Sequence, residues 1–555
     1  MKKKKTIFHL LNHDQTIKIT EDNENNGFKY YIEHRKHKNI IYLFKDNNDE
    51  NSNVKYGYCL KCSKFISRDS SNISKHQNSL HKTFVENLEE INNKIMKLLI
   101  EVNASSLTVE KKQFHDIFPQ FCKSRKTYTD KLNALYELTK QNIQEYLSQI
   151  EYVNIYIDEW SRFGLNFVGI FCSSIEKDFL LACGIPDSIF RNALCLSEYI
   201  KKQISEFKIN EKIHFCSTDC APNIAKATIN LELDWNPCCC HVINKAMEKA
   251  LEKINSLKSI IKKINTITKS TKLKQFMLIN NENFLTIPSF SETRWLSIGN
   301  MFKRLEEKKI SISNFLLSPY NKYGIEINEN EWTIINGLNE IINGINNEIK
   351  TLESNSKVGF FYSILSLCKI MNFYCNQFIS YGYDDAAYIL KKSIMNKLLK
   401  YKNWTLHMLV AAHLNPNILI DEVLPSELKE ISDESISYIL QRIPALCANQ
   451  QKENKFGERI PNVEQNQYQL FKSIPYSGTV DIYEYWIVHS HDLPELFLIS
   501  KKYFGLYPSS SCIERAFSMA KFVLDDKFAA LNPDNAEKRI FLYINTHTHS
   551  VCSIL

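Results

Sequence analysis

Most of this chain repeats apolar residues every three or four positions, the spacing that lines one face of a helix. The segments ENLEEINNKIMKLLIEV (86–102), NGLNEIINGINNEIKTLE (336–353) and AAYILKKSIMNKLLKYKN (386–403) all do so. One stretch departs from that rule. EYVNIYID (151–158), LNFVGIFCSS (165–174), FLLACGIP (179–186) and KIHFCSTD (212–219) are short β-branched and aromatic runs, and such runs read as strands. SEYIKKQISEF (197–207) and APNIAKATINLE (221–232) have helical spacing, and NPCCCHVINKAMEKALEKI (236–254) is a short strand or turn leading into a helix. The predicted order across this stretch is strand, strand, strand, helix, strand, helix, strand, helix. Before and after it the chain is predicted to be helical, including DIYEYWIVHS (481–490), PELFLISKKYF (494–504) and CIERAFSMAKFVL (512–524). No fixed-period repeat is present.

Composition adds scale. At 555 residues the chain is too long for one core and divides into three or four domain-sized units. Hydrophobic content of 44 % with 24 % charged residues describes a globular protein. With 14 Gly and 14 Pro, turn-rich β architecture is disfavoured. Nothing in the sequence reads as a secretory leader and no apolar run is long enough to span a membrane, so no membrane partner is expected. The 16 Cys lie scattered through apolar segments and read as reduced, buried thiols. The net charge is +7, and nearly all of the excess lies in the first hundred residues, which directs a search for nucleic-acid contact there. Lys2–Lys5 and His34–Lys38 are basic clusters that read either as nuclear-import signals or as solvated faces.

Within that basic region, Cys59 and Cys62 are two residues apart, and His76 and His81 follow thirteen residues on with four between them. Two thiolates and two imidazoles at these spacings close a structural tetrahedral zinc shell. From Lys55 to Lys82 there are six basic residues and one acidic residue. A zinc-stapled module of that balance suits a phosphate backbone, with Lys61, Lys64 and Lys75 as candidate contacts. A protein-binding finger is the other reading.

Two acids end predicted strands: Asp158 the first, Asp219 the fourth. In an RNase H-like order these strands are neighbours, about 4.8 Å apart. Carboxylates at adjacent strand ends can share divalent ions, Mg²⁺ or Mn²⁺ by their oxygen donors, which activate a water or 3′-hydroxyl against a phosphodiester. An Asp at a strand end is equally a turn residue or a helix cap.

A series of motifs then points one way. IYIDEWS (155–161) resembles the first acidic motif of hAT transposases, and STDCAPNIAKA (217–227) is similar to the second. CCCHVIN (238–244) resembles their Cys-x-x-His element, with Cys238 and His241 in the matching places, and ETRWLS (292–297) resembles their Thr-Arg-Trp segment. Residues 483–520, extended by KFAALNPDNAEKRIFL (527–542), are similar to the hAT C-terminal dimerisation region. Tyr42, Phe44, Tyr56, Tyr58 and the Asn72–His76 run resemble a BED finger. The order of the motifs along the chain is the family's order.

The resemblance implies a third acid at Glu514, although Ser511-Cys512-Ile513-Glu514 is also a capping-box pattern. It implies that Cys238 and His241 lie near the acids as DNA-binding residues, that Trp295 stacks on an unpaired base, and that Arg294 beside it neutralises a phosphate. Trp295 reads alternatively as helical core. The expected fold is α+β: an RNase H-like mixed-sheet catalytic core interrupted by a large all-helical insertion, with an N-terminal zinc finger. The expected units are a basic polar segment (1–50), the finger (51–85), a helical linker or DNA-binding region (86–150), the first part of the core (151–258), the helical insertion (259–474) and the dimerisation region completing the core (475–550). Trp486, Leu496, Phe497, Phe517 and Phe541 are expected to present an apolar dimer surface, although such a stripe usually packs within its own chain. The implied activity is metal-dependent DNA cleavage and strand transfer at terminal inverted repeats, by a dimer or higher oligomer in the nucleus. Glu159, Cys220, Asn415 and Lys521 depart from the family's usual residues. They keep open a second reading, a domesticated DNA-binding regulator without chemistry.

Overall fold

The computed structural model describes residues 88–104, 106–118, 121, 124–186, 192–280, 287, 297–322, 324–354, 356–443, 467–474, 480–524 and 532–547, and five strands before them. The chain divides into two units, Met1–Leu98 and Leu99–Leu555.

In the first unit, β1 (Lys5–Thr6), β2 (Tyr30–Glu33), β3 (Ile40–Phe44), β4 (Tyr56–Cys59) and β5 (Lys64–Ser67) form an antiparallel sheet in chain order. The first three fall in the segment expected to be merely basic and polar, whose composition does not announce strands. Cys59 ends β4 opposite Lys64, the first residue of β5. Of the predicted zinc ligands, Cys62, His76 and His81 lie outside the described residues, as do Lys61 and Lys75.

The second unit is mixed α+β and mostly helical. Its sheet has the order β10-β9-β6-β7-β8, where β6 is Val153–Arg162, β7 Leu165–Ser173, β8 Asp178–Gly184, β9 Ile213–Thr218 and β10 Trp235–Pro237. β6, β7 and β8 pair antiparallel, while β9 runs parallel to both β6 and β10. The first three strands are thus a meander, and the last two join by crossover helices, α2 (Ala193–Glu206) and α3 (Pro222–Asn230). A parallel crossover requires such a connection. β6 is buried from Val153 to Ile157, which explains its unbroken apolar run. Asn192 caps α2 by accepting from the Cys195 amide, and Pro222 opens α3 at a position where a missing N–H costs nothing.

Helices cover the sheet. α1 (Arg125–Gln149) precedes it, α4 (Cys239–Leu251) follows β10, and α9 (Ser511–Val523) packs on β6 and β7. α10 (Pro533–His547) packs against β8, where the Asn545 side chain accepts from the Leu180 amide and donates to its carbonyl. That double bond satisfies backbone groups on the sheet's edge strand. Between α4 and α9 the described chain is helical, including α5 (Glu329–Glu353), α6 (Asp384–Lys400), α7 (Lys402–His413) and α8 (Lys429–Leu440). α5 begins with a reciprocal capping box between Asn328 and Glu331 and buries Trp332, Ile335, Leu338, Ile342, Ile345 and Ile349 at the predicted helical spacing.

The expected apolar dimer surface is corrected here. Trp486, Leu496 and Phe541 are wholly buried, and Phe517 nearly so, within their own chain. Trp486 donates to the Leu414 carbonyl from 3.0 Å. Only Phe497 keeps partial exposure.

Candidate active site

The parallel ladder between β6 and β9 ends on the pair Ile157 and Thr218. The next residue of each strand is an acid, Asp158 and Asp219, so neighbouring strands deliver the two carboxylates side by side. One oxygen of each is engaged locally. Asp158 accepts from the Glu159 amide at 2.8 Å, and Asp219 accepts from the Ala221 amide at 3.0 Å. The second bond makes the Asx turn that starts α3, so the turn-residue reading of Asp219 holds alongside any other role.

Asp158 is not electrostatically satisfied. Burial, then the charge of Asp219, then that of Glu514, push the Asp158 carboxyl up to about 7, against the Glu159 amide and His241, which lower it. Two like charges near a third in a half-buried setting favour either a proton or a cation.

Glu514 arrives from α9, and a glycine sets how closely that helix lies. Gly169 of β7 is the cross-strand partner of Asp158. A Cβ at Gly169 would stand 2.6 Å from the Phe517 ring and 2.7 Å from Ile513. Only glycine lets α9 seat against the sheet at the level of Asp158. Phe517 also stacks on Trp160, with ring centroids 5.7 Å apart. α9 starts at Ser511, with Ser510 at the cap and no side-chain cap bond. The predicted capping box is therefore not formed, and Glu514 stands exposed in the first turn.

The segment before α9 is held from two sides. The buried Tyr156 hydroxyl, two residues ahead of Asp158, accepts from the Tyr507 amide at 2.6 Å and donates to its carbonyl. The Cys239 amide donates to the Pro508 carbonyl at 3.0 Å, and the Ser510 amide donates to Cys238 Sγ at 3.3 Å. Cys238 is 2 % exposed. Its sulfur positions the start of α9 and offers no surface to DNA. Hydrogen bonds with Cys240 hold the Cys238 thiol well below the ordinary thiol range, against the opposing push of burial and with help from His241 and Ser510. His241 is raised in turn, first by Cys238, with Asp219 and Asp158 adding to it against burial. The His241 imidazole thus feels both the buried sulfur and the acid pair.

The structure brings Asp158, Asp219, Glu514, Cys238 and His241 into one electrostatic neighbourhood. Arg294 and Trp295 lie outside the described residues. Among the described residues no group of three or more His, Cys, Asp or Glu stands close enough to hold a metal ion. The donor chemistry nevertheless fits a divalent cation: paired carboxylate oxygens with unrelieved negative charge and no described cation bridging them. Sequence reasoning missed Gly169 and Tyr156. A glycine inside an apolar strand is the signal that marks a close backbone approach; a tyrosine in a strand carries no such mark.

The hAT family C-terminal dimerisation region matches residues 454–545, the segment that contains α9, Glu514 and most of α10. That match supports membership of the hAT family and self-association of the chain. No curated protein matches the sequence. Among the described residues no helix is long and apolar enough to cross a membrane.

Proposed function

We propose that the chain is a hAT-type transposase: a nuclear protein that binds double-stranded DNA, self-associates, and cleaves and transfers DNA strands at an acidic centre of Asp158, Asp219 and Glu514. The observation that carries this reading is the delivery of Asp158 and Asp219 by adjacent parallel strands, left with unrelieved like charge. The sheet supports an RNase H-like core, because a three-strand meander followed by two parallel strands on the side of the first is the order that fold uses. In this reading Asp158, Asp219 and Glu514 would hold Mg²⁺ or Mn²⁺, which would supply activation of a hydroxyl and stabilisation of a leaving oxygen. The chain's own residues do the positioning. Gly169 admits α9, Tyr156 and Cys238 fix the segment leading into it, and His241 limits the negative charge at the pair.

The remaining parts of the proposal rest on sequence. Cys59, Cys62, His76 and His81 bind a structural zinc, and the BED-type finger they form recognises terminal inverted repeats through its basic face, with Lys61, Lys64 and Lys75 on phosphates. Arg294 and Trp295 engage the DNA near the cut. Self-association uses exposed apolar residues of the matched region, Ile487, Val488 and Leu498, in place of the buried stripe. Sedimentation of Val488→Asp checks this: a monomer is expected where the wild type is a dimer, and an unchanged dimer contradicts it.

The second reading, a DNA-binding regulator without chemistry, is favoured by one observation: the described acids do not close into a three-ligand group. Cleavage separates the two. Wild-type protein with Mg²⁺ is expected to cut duplex DNA carrying the terminal repeats, leaving hairpinned flanks, and Asp219→Ala to bind without cutting. Binding without cleavage by the wild type leaves the regulator. Nicking without hairpins leaves a simple nuclease.

A further inference from the structure

The C-terminal end of α6 docks beside Asp219 through a short chain of contacts. The Trp235 indole N–H donates to Thr218 Oγ1 at 2.8 Å, and Thr218 immediately precedes Asp219. The Trp235 ring meets the Tyr401 ring edge-on at 5.1 Å. Lys397 Nζ and Lys400 Nζ lie over that same Tyr401 ring, 5.5 and 5.2 Å from its centroid. Two residues on, the Asn403 side chain donates to Asp234 at 2.6 Å, which fixes the start of α7 against the strand that carries Trp235. α6 itself lies along α4, the helix that begins at the Cys238 element. Both lysines also act on the Cys220 thiol, next to Asp219, lowering it against the larger upward push of burial.

These two amines are in an unusual position. Lys400 is exposed and Lys397 half-buried, and among the described residues neither makes an ion pair. Lys402, exposed on the next helix, adds a third positive charge. Two ammonium groups over one ring, with no described carboxylate paired to either, make this end of α6 electropositive. The aromatic face orders the amines without neutralising them. Ammonium groups near a cluster of carboxylates are what a polyanion needs in order to reach that cluster: phosphates flanking the reacting one are gripped while the acids are kept for the reaction centre.

We propose that Lys397 and Lys400, ordered on Tyr401, form a phosphate-holding rim that seats the DNA backbone at the edge of the Asp158–Asp219 pair. This rests on the DNA-cleaving reading above and adds to it the path of the strand. Such contacts carry no sequence information and set register, so they act on every duplex alike.

Salt-dependent binding tests the rim in the full-length protein. Affinity for a fluorescently labelled duplex is measured by anisotropy over a range of KCl for four proteins: wild type, Lys397→Gln/Lys400→Gln, Lys397→Arg/Lys400→Arg, and Lys258→Gln/Lys262→Gln. The last pair removes the same charge from exposed positions of the helix Asn255–Thr268. The slope of log affinity against log salt is expected to fall by about 1–2 in the first Gln pair, roughly one unit for each phosphate deprived of its ammonium partner. The Arg pair and the Lys258/Lys262 pair are expected to keep the wild-type slope. An unchanged slope in Lys397→Gln/Lys400→Gln, or an equal fall in the Lys258/Lys262 pair, overturns the rim while leaving DNA binding intact. A wild type that binds no duplex overturns the DNA reading itself, and the rim with it. Preferential binding of a poly-glutamate peptide over duplex by the wild type, abolished in the first Gln pair, assigns the surface to an acidic protein partner and also overturns the rim.

Discussion

Two aspartates of the same sheet face opposite circumstances. Asp234, just ahead of β10, is matched: His407 Nε2 stands 3.3 Å from one oxygen and the Asn403 amide donates to the other at 2.6 Å. His407 is in turn bonded to the Tyr503 hydroxyl at 2.9 Å. Burial pushes Asp234 up, but His407 and Asn403 outweigh it and hold the carboxyl below its ordinary value. Asp158, in the middle of the sheet, is pushed up by burial, accepts from one amide among the described residues, and faces Asp219 and Glu514 with His241 opposing them. A carboxylate that serves stability is surrounded by donors. A carboxylate buried among like charges costs stability, and under the proposed function a cation would offset that cost.

Removal of the two acids should therefore act with opposite signs. Asp234→Ala leaves His407 and Asn403 without their acceptor and should cost about 1–3 kcal/mol in denaturant unfolding at pH 8 without divalent ions. Asp158→Asn removes one of the clustered charges and should gain about 1–3 kcal/mol under the same conditions, less than the full shift at about 1.4 kcal/mol per pKa unit because the carboxyl is partly solvated. Destabilisation by both variants would erase the distinction. Next in size is Gly169→Ala. Its methyl meets Phe517 and Ile513 in a packed layer, and overpacking of this kind costs about 1–3 kcal/mol. Cleavage should fall further than stability does, because α9 carries Glu514; equal loss at Gly169 and at a control core position would contradict that role.

Smallest, and sharpest in form, is the pH dependence. Asp158 is raised to about 7 when folded, and its unfolded value is about 3.9. The folded state therefore binds the proton more tightly. This group's contribution is most favourable below the ordinary carboxylate range and is lost as pH rises through 7. Wild type should lose stability across that window relative to Asp158→Asn, and parallel curves for the two would show that the group titrates normally.

Much of the sheet was legible in the sequence because its signals are local. The β-branched runs gave the strands, the periodic patterns gave the helices, and the strand ends gave Asp158 and Asp219. What was not legible depends on partners far away in the chain. Asp234 and His407 are 173 residues apart and nothing near either announces the other. Cys238 reads as a DNA-contacting residue until the Ser509–Ser511 segment is folded over it. The stripe through Trp486 and Leu496 reads the same whether its cover is the same chain or another, and the buried indole bonded to Leu414 decides it. Ser511 and Glu514 have the capping spacing, but the helix begins one residue too early for that bond.

If the Asp158–Asp219 pair is a cation site, it can be tested without knowing the DNA sequence recognised. Thermal unfolding is followed at pH 8 during titration with Mg²⁺, in wild type and Asp158→Asn. A saturable rise in the wild-type midpoint is expected, absent from Asp158→Asn, because a cation that binds only the folded pair stabilises it by mass action. The same shift in both proteins, or none in the wild type, would contradict a cation site there.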